Sequence, residues 1–410
     1  MTAEAILAAV EDLRDDLVAL LQRMIRLPTV NPPGDGYEAF VADLRSVLDG
    51  YGYETAVHHA PTELAPLGQG LPRPNLIARL HGDGPVIHLN GHYDVVPVGN
   101  DWTRDPFGGE LADGHVYGRG AADMKSGLAA QIIAVEALRR TGATPNVVQS
   151  AVPDEETVGV RNAGMGWLVE SGLLEGDAVI ITEPFGPDGV GIGHKGAIWG
   201  EITIFGKQAH GSAPRLGENA IELMARYLAH LDEHLRPQLD ARMTDYGVTP
   251  PEPRATLSFD TIAGGAATNI VPDRCTVTFN RRLIPGEELE QARRELLAPL
   301  EHVRHRYREL YSTEPTLVSE EEPVVQAATR AVTALGLTPR ILISAGSDDQ
   351  RFVVHNAGIT NSLVYGPGQT GLSHVADERI SVTDLVLGTQ GLALIVADLA
   401  QTATVSSSST

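Results

Sequence analysis

Apolar positions recur at helical spacing over residues 4–26 and again over 37–52, and the turn PTVNPPGDG separates the two runs. Two strands are predicted next, NLIARL at 75–80 and PVIHLNGHYD at 85–94. The second is apolar on both faces until its end, as a strand buried in a parallel sheet is. SGLAAQIIAVEALRRTG at 126–142 has helical periodicity and a glycine stop. NVVQSAVPDEE runs as a strand into a loop, AGMGWLVESGLL is helical, and DAVIITEP is a further buried strand ending in an acid. This alternation predicts an α/β unit with a mixed sheet and helices on both faces.

Near residue 194 the pattern changes. AIWGEITIFGKQAH, RATLSFDTIAGG and RCTVTFNRRLI alternate apolar with polar residues, while NAIELMARYLAHLDEHL and EELEQARRELLAPLEHV have helical spacing. Half-polar strands with two helices predict an antiparallel α+β unit. The buried α/β style resumes after about 312, with a helix over 323–335 and strands at RILIS and NSLVYG. One domain is therefore expected over 1–193 and 313–410, with a second, 194–312, inserted into it.

A chain of 410 residues accommodates such a pair. Its net charge of −22 argues against nucleic acid or an anionic membrane surface as partner. The N-terminal helix is acidic and lacks the basic start of a signal peptide, and no uninterrupted apolar run reaches membrane-spanning length. A cytoplasmic location is expected. The single cysteine, Cys275, excludes intramolecular disulfides and cysteine-rich metal sites, and its alternating context CTVTF predicts a core position. The polar tail TATVSSSST is expected to be disordered.

Candidate chemistry lies at strand ends. His92 and Asp94 close one buried strand and, two residues apart, point to the same side. Asp154, Glu155 and Glu156 follow another, and Glu183 follows a third. Sites in open α/β sheets form beyond the carboxyl ends of strands, so these groups converge on one crevice. Several carboxylates there would repel one another, and the nearby basic residues, Arg119 and Lys125, are too few to compensate. A pair of divalent cations does so, with zinc, cobalt or manganese suited to histidine plus carboxylate.

The run GRGAADMKSG at 118–127 offers a competing reading as a phosphate cradle. A dinucleotide fingerprint requires a third small residue where Asp123 stands and an acid about 20 residues on. Residues 136–144 supply only Glu136, inside a predicted helix.

The motifs HLNGHYDVVPVG, DPFGGELADGHVYGRGAADMKSG, VPDEE, TEP, GKQAHGSAPRLGENAI, TNIVPDRCTVTFNRRLIPGE and GPGQTGLSH occur in that order over nearly the whole chain. They resemble those of the di-zinc aminoacylase/carboxypeptidase (M20) family, the group of acetylornithine deacetylase and succinyl-diaminopimelate desuccinylase. The resemblance implies a phosphorylase/hydrolase-like catalytic domain with an inserted lid and dimerisation domain, a homodimer, and a small-molecule N-acyl amino acid or dipeptide as substrate. It implies that two metal ions, zinc first, are held by His92 and Glu183, by Glu156 and His374, and by Asp123 as bridge. The peptide bond after Asp123 is expected to be cis.

The same resemblance gives Glu155 as general base toward a metal-bound hydroxide, and Asp94 as the group fixing the His92 tautomer. His210 is the oxyanion partner, reaching across a dimer, and Arg282 with Asn269 grips the substrate carboxylate. Arg281 competes with Arg282 for that role. Of Asp348 and Asp349, Asp349 fits the family position better, because Arg351 then keeps its spacing. Where many relatives carry a small hydroxyl residue, this chain has Phe185 and Gly186, which points to an altered acyl or side-chain pocket. The expected reaction is hydrolysis of the amide of an N-acyl amino acid. The alternatives are a dipeptidase or carboxypeptidase and, of another class, a catalytically silent binding protein.

Overall fold

The computed structural model describes residues 2–157 and 162–402. The tail beyond Thr402, expected to be disordered, lies outside the described residues. The chain forms two compact units, one of Met1–Gly193, Leu317–Ile343 and Asp348–Thr410, the other of His194–Thr316 with Ser344–Ser347.

The first unit is built on a mixed sheet. Its strands lie in the order Glu54–Ala60, Arg73–Leu80, Pro145–Val152, Asp83–His92, Ala178–Ile181, Ser362–Val364, Gly189–His194 and Arg340–Ser344. Asp83–His92 is parallel to both its neighbours, in agreement with its apolar pattern on both faces. The period of two along Pro145–Val152 shows how the sheet is covered. Val148 and Val152 pack with Leu168 of the helix Met165–Glu170 on one face. Gln149, between them in register, points the other way and donates to the carbonyl of Gln131 in the helix Lys125–Arg140. Helices therefore cover both faces.

Helix Lys125–Arg140 lies very close to the sheet. A Cβ on its Gly127 would stand 2.2 Å from the carbonyl oxygen of Thr182, so only glycine fits there. This approach holds the helix start, and the turn before it, beside the strand end that carries Glu183. The long C-terminal helix, expected neither as a helix nor as a span, packs against Lys125–Arg140 and Pro323–Ala334. Val382–Gln401 is long and apolar enough to cross a membrane by composition, but 72% of it is buried inside the protein.

The second unit is a four-stranded antiparallel sheet in the order Thr256–Gly264, Arg274–Leu283, Gly196–Phe205, His305–Thr313. Its core joins Ile198, Ile202 and Ile204 with Cys275, Val277 and Phe279, and with Met224, Tyr227 and Leu296 from the covering helices. Cys275 is a core residue, as its strand context predicts. The edge strand His305–Thr313 was not expected from the sequence. Its exposed face carries Arg306, Arg308 and Leu310, and only Tyr311 and Thr313 are buried. It extends past the expected boundary at 312, so this unit runs to Thr316.

Phe185 departs from its expected role. Its side chain is 6% exposed and packs with Met165, Val179, Ile181, Phe352 and Val364. After Pro184 the chain turns sharply, the Phe185 N–H reaching the Glu183 carbonyl at 2.9 Å, and this sends the ring into the core. Phe185→Ala should cost about 3–5 kcal/mol of stability, as emptied aromatic core sites do. Denaturant unfolding checks this, and a cost below about 1 kcal/mol would show that the ring is not packed.

Candidate metal centre

Five side chains meet beyond the ends of the central strands. His92 Nε2 lies 3.1 Å from Asp123 Oδ1 and 3.4 Å from Glu183 Oε1. On the other side of Asp123, His374 Nε2 lies 3.4 Å from Asp123 Oδ2 and 2.9 Å from Glu156 Oε1. The Asp123 carboxylate thus faces one imidazole with each oxygen, and each imidazole has a second carboxylate beside it. The Asp123–Met124 peptide bond is cis, as the resemblance implies.

Elements of quite different kinds deliver these groups. His92 ends the strand Asp83–His92, and Glu183 follows Ala178–Ile181. Asp123 sits in the turn before Lys125–Arg140, where Gly120 has a φ of +88°, a left-handed conformation that favours glycine. Glu156 follows Pro145–Val152, and His374 lies in the loop after Thr370–Leu372 with a φ of +61°.

Asp94 ties two of these elements together. Its carboxylate accepts the main-chain N–H of Glu155 and of Glu156, each at 3.2 Å, and the Asn31 amide at 2.9 Å. The nearest partner of His92 Nδ1 is the Asp94 main-chain carbonyl at 2.9 Å, with the carboxylate at 3.5 Å. Either contact keeps the proton on Nδ1 and presents the Nε2 lone pair to Asp123 and Glu183. Beneath the loop, Asp154 is buried and takes Arg73 at 2.8 Å, Asn31 at 2.9 Å and Tyr37 at 3.1 Å.

A lone pair facing carboxylate oxygens is unfavourable unless something positive lies between them. With protons alone, the cluster shows that conflict in its pKa values. Burial raises Glu183 to about 8 and Glu156 to about 7, with Asp123 adding repulsion to each. Hydrogen bonds to Asp123 and Glu156 push His374 up to about 11. Burial lowers His92, but Glu183, Asp123 and Asp94 outweigh it and hold it well above its ordinary value. Glu183 Oε1 is moreover buried without a hydrogen-bond partner. Imidazole and carboxylate donors placed in this way fit a divalent cation on each side of Asp123.

An oxygen of Glu155 lies within 4.8 Å of the ligand atoms of His92 and Glu183. Burial, then the Glu183 charge, holds its carboxyl well above the usual range, which suits a group that must take and return a proton. Asp349, also buried, acts on Glu155 through its charge and is held by Asn162 at 3.2 Å; Asp348 accepts the Gln350 N–H at 2.9 Å.

The remaining expected residues belong to the second unit. His210 pairs with Ser212 Oγ at 2.7 Å and bridges to Ile270, so Asn269 stands beside its loop and accepts the Gly211 N–H at 2.8 Å. The two arginines separate clearly. Arg281 is fully buried, bonded to Glu287 at 2.5 Å and to the Arg282 carbonyl. Arg282, on the opposite face of the strand, lies over the Trp199 ring at 5.5 Å, with no ion-pair partner among the described residues.

Residues 88–398 match the model of peptidase family M20/M25/M40. The chain belongs to this family. It is 34% identical over 390 residues to the succinyl-diaminopimelate desuccinylase of Rhodospirillum centenum, covering 90% of this chain and 94% of that protein. The desuccinylase of Wolinella succinogenes is 29% identical over 385 residues, 91% and 97% of the two chains. Among solved structures, human carnosine dipeptidase 1 superposes with a TM-score of 0.74 at 18% identity, over 98% of this chain and 99% of that one. A Bacillus subtilis M20 peptidase described as dinuclear and metal-binding gives 0.65 at 18% identity, over 94% and 98%. This M20 chain is therefore a metallo-hydrolase acting on an amide, with His and carboxylate groups able to hold metal.

The raised acids have a consequence for the metal-free M20 enzyme. Glu183 and Glu156 bind protons more tightly folded than unfolded, so the folded state holds more protons between about pH 4.5 and about 8. Their contribution to stability is complete below the unfolded value and is lost as pH rises through the folded one. The melting temperature of metal-stripped protein should fall from pH 5 to 8 more steeply than that of the Glu183→Gln variant. Equal slopes would show that Glu183 is not coupled to folding.

Proposed function

We propose that this M20 enzyme binds two divalent ions, zinc first, and removes the acyl group from an N-acyl amino acid, with an N-succinyl amino acid as the preferred class. The paired arrangement of His92 with Glu183 and of His374 with Glu156 on the two oxygens of Asp123 carries the metal reading. The two desuccinylases, matched over nine-tenths of the chain, carry the substrate class.

When bound, the cations would polarise the amide carbonyl and lower the pKa of water. Glu155 takes the proton of the attacking water and passes it to the departing amine. Asp94 keeps His92 in the tautomer that serves as ligand. His210 donates to the developing oxyanion. Arg282, whose guanidinium has no carboxylate partner among the described residues, grips the carboxylate of the substrate together with Asn269, and Arg281 is tied to Glu287 instead.

The reading includes a homodimer formed through the second unit. The edge strand Thr256–Gly264 exposes Ile262, and Ile221, Ile270 and Leu216 are exposed in the same unit. A sheet edge bearing apolar side chains is a ready pairing surface.

Glu155→Ala should keep two metals per chain and lose about 10²–10⁴-fold in kcat; metal analysis with initial rates checks it, and near wild-type turnover would remove Glu155 from the base role. Arg282→Ala and Asn269→Ala should each raise KM for N-succinyl amino acids with an unchanged circular dichroism spectrum, and an unchanged KM would remove that residue from the carboxylate grip. Across a panel of N-succinyl, N-acetyl and N-formyl amino acids and simple dipeptides, the N-succinyl compounds should have the highest kcat/KM. Dipeptides leading would make the enzyme a dipeptidase.

A further inference from the structure

The turn that looks like a phosphate cradle does hold an anion, and the anion belongs to the chain itself. Glu378 is fully buried, and its Oε1 accepts three main-chain N–H groups, from Gly120 at 3.1 Å, Ala122 at 2.9 Å and Asp123 at 3.1 Å. Its Oε2 accepts Arg119 Nη1 at 2.5 Å. Successive amides turned toward one point form a nest for negative charge, and a carboxylate satisfies it as a phosphate would.

The main chain fixes Glu378 there. The Gly118 N–H bonds the Glu378 carbonyl at 2.8 Å. Strand Arg379–Ser381 then pairs with His115–Tyr117, Arg379 opposite Tyr117. One residue earlier, Asp377 accepts the N–H groups of Thr103 at 2.9 Å and Arg104 at 3.2 Å. The loop between His374 and Glu378 thus touches Asp123 twice. His374 faces its carboxylate, and Glu378 holds its amide.

We propose that Glu378 is a positioning residue for the metal centre: by filling the amide nest of the Gly120–Asp123 turn it fixes the direction of the Asp123 carboxylate and locks His374 to the same frame, with Arg119 balancing its charge. The role rests on Asp123 as the bridging ligand. Glu378 touches neither substrate nor ligand atoms of the metals, and its effect passes entirely through Asp123 and His374.

The test uses metal-stripped full-length protein titrated with Co²⁺, followed by calorimetry and by the visible d–d bands, which report ligand geometry. Glu378→Gln keeps one acceptor oxygen in the nest and removes the charge. The double variant Glu378→Ala with Arg119→Met removes the buried pair together and leaves no unpaired charge inside. We expect both to fold. Affinity for both Co²⁺ ions should fall by 10-fold or more in the double variant and by less in Glu378→Gln, with shifted bands and a drop in kcat at nearly unchanged KM. Wild-type affinity and bands in folded Glu378→Gln and in the folded double variant would overturn the proposal. If the double variant does not fold, Glu378→Gln alone decides, and wild-type binding there overturns it. Asp123→Asn separates the two levels: two Co²⁺ bound as in wild type by this variant would overturn the bridging reading itself, and the positioning role with it.

Discussion

Asp94 and Glu378 are buried carboxylates that end on main-chain amides rather than among the ligand atoms. Asp94 takes the N–H groups of Glu155 and Glu156; Glu378 takes those of Gly120, Ala122 and Asp123. A carboxylate that accepts several N–H bonds has its lone pairs satisfied in place, and Arg119 balances the charge of Glu378. Loops deliver Asp123, Glu156 and His374, and loops are the least rigid part of a fold. These two acids give the loops the definition that strands give His92. A metal centre needs its ligands held within a few tenths of an ångström, and here that precision comes from hydrogen bonds at the level of the backbone.

The negative charge of the crevice is shared unequally among its acids. Asp123 is pulled well below the ordinary carboxylate range because, despite burial, it lies between His374 and His92. Glu156 and Glu183 move the other way, because burial and the Asp123 charge oppose a second and third negative group. The protein alone can resolve this only by holding protons. Divalent cations held by these groups would replace those protons, which would make metal binding and proton release one equilibrium.

Much of this was legible in the residue pattern. The buried strand running to His92, the acids at the ends of two further strands, and the change of style near residue 194 all follow from periodicities of two and 3.6. His92, Asp123, Glu156, Glu183 and His374, which the resemblance named, lie together. What escaped notice has a common cause. Glu378 and Arg119 are 259 positions apart, Asp154 and Arg73 are 81 apart, and Asn31 reaches Asp94 from 63 away. Each is a polar side chain whose partner is set by tertiary folding, so local periodicity carries no trace of it. The strand His305–Thr313 escaped for a different reason: at a sheet edge its charged residues are as many as its apolar ones, and the burial signal is weak.

Two pairs of like neighbours show how the backbone divides labour that composition leaves undivided. Arg281 and Arg282 are chemically the same, but successive residues of a strand face opposite ways. One guanidinium is carried into the interior, where Glu287 neutralises it; the other lies over Trp199 with its hydrogen-bonding edge free of any carboxylate of the described chain. Glu155 and Glu156 are divided likewise, although both N–H groups bond one Asp94 carboxylate. Glu156 reaches His374 at 2.9 Å, whereas Glu155 has an oxygen within 4.8 Å of the ligand atoms of His92 and Glu183, and burial, then the Glu183 charge, raises its carboxyl. A ligand must give up its proton permanently and a base must exchange one repeatedly. On the proposed reading, with Glu156 as ligand and Glu155 as base, a single loop supplies both.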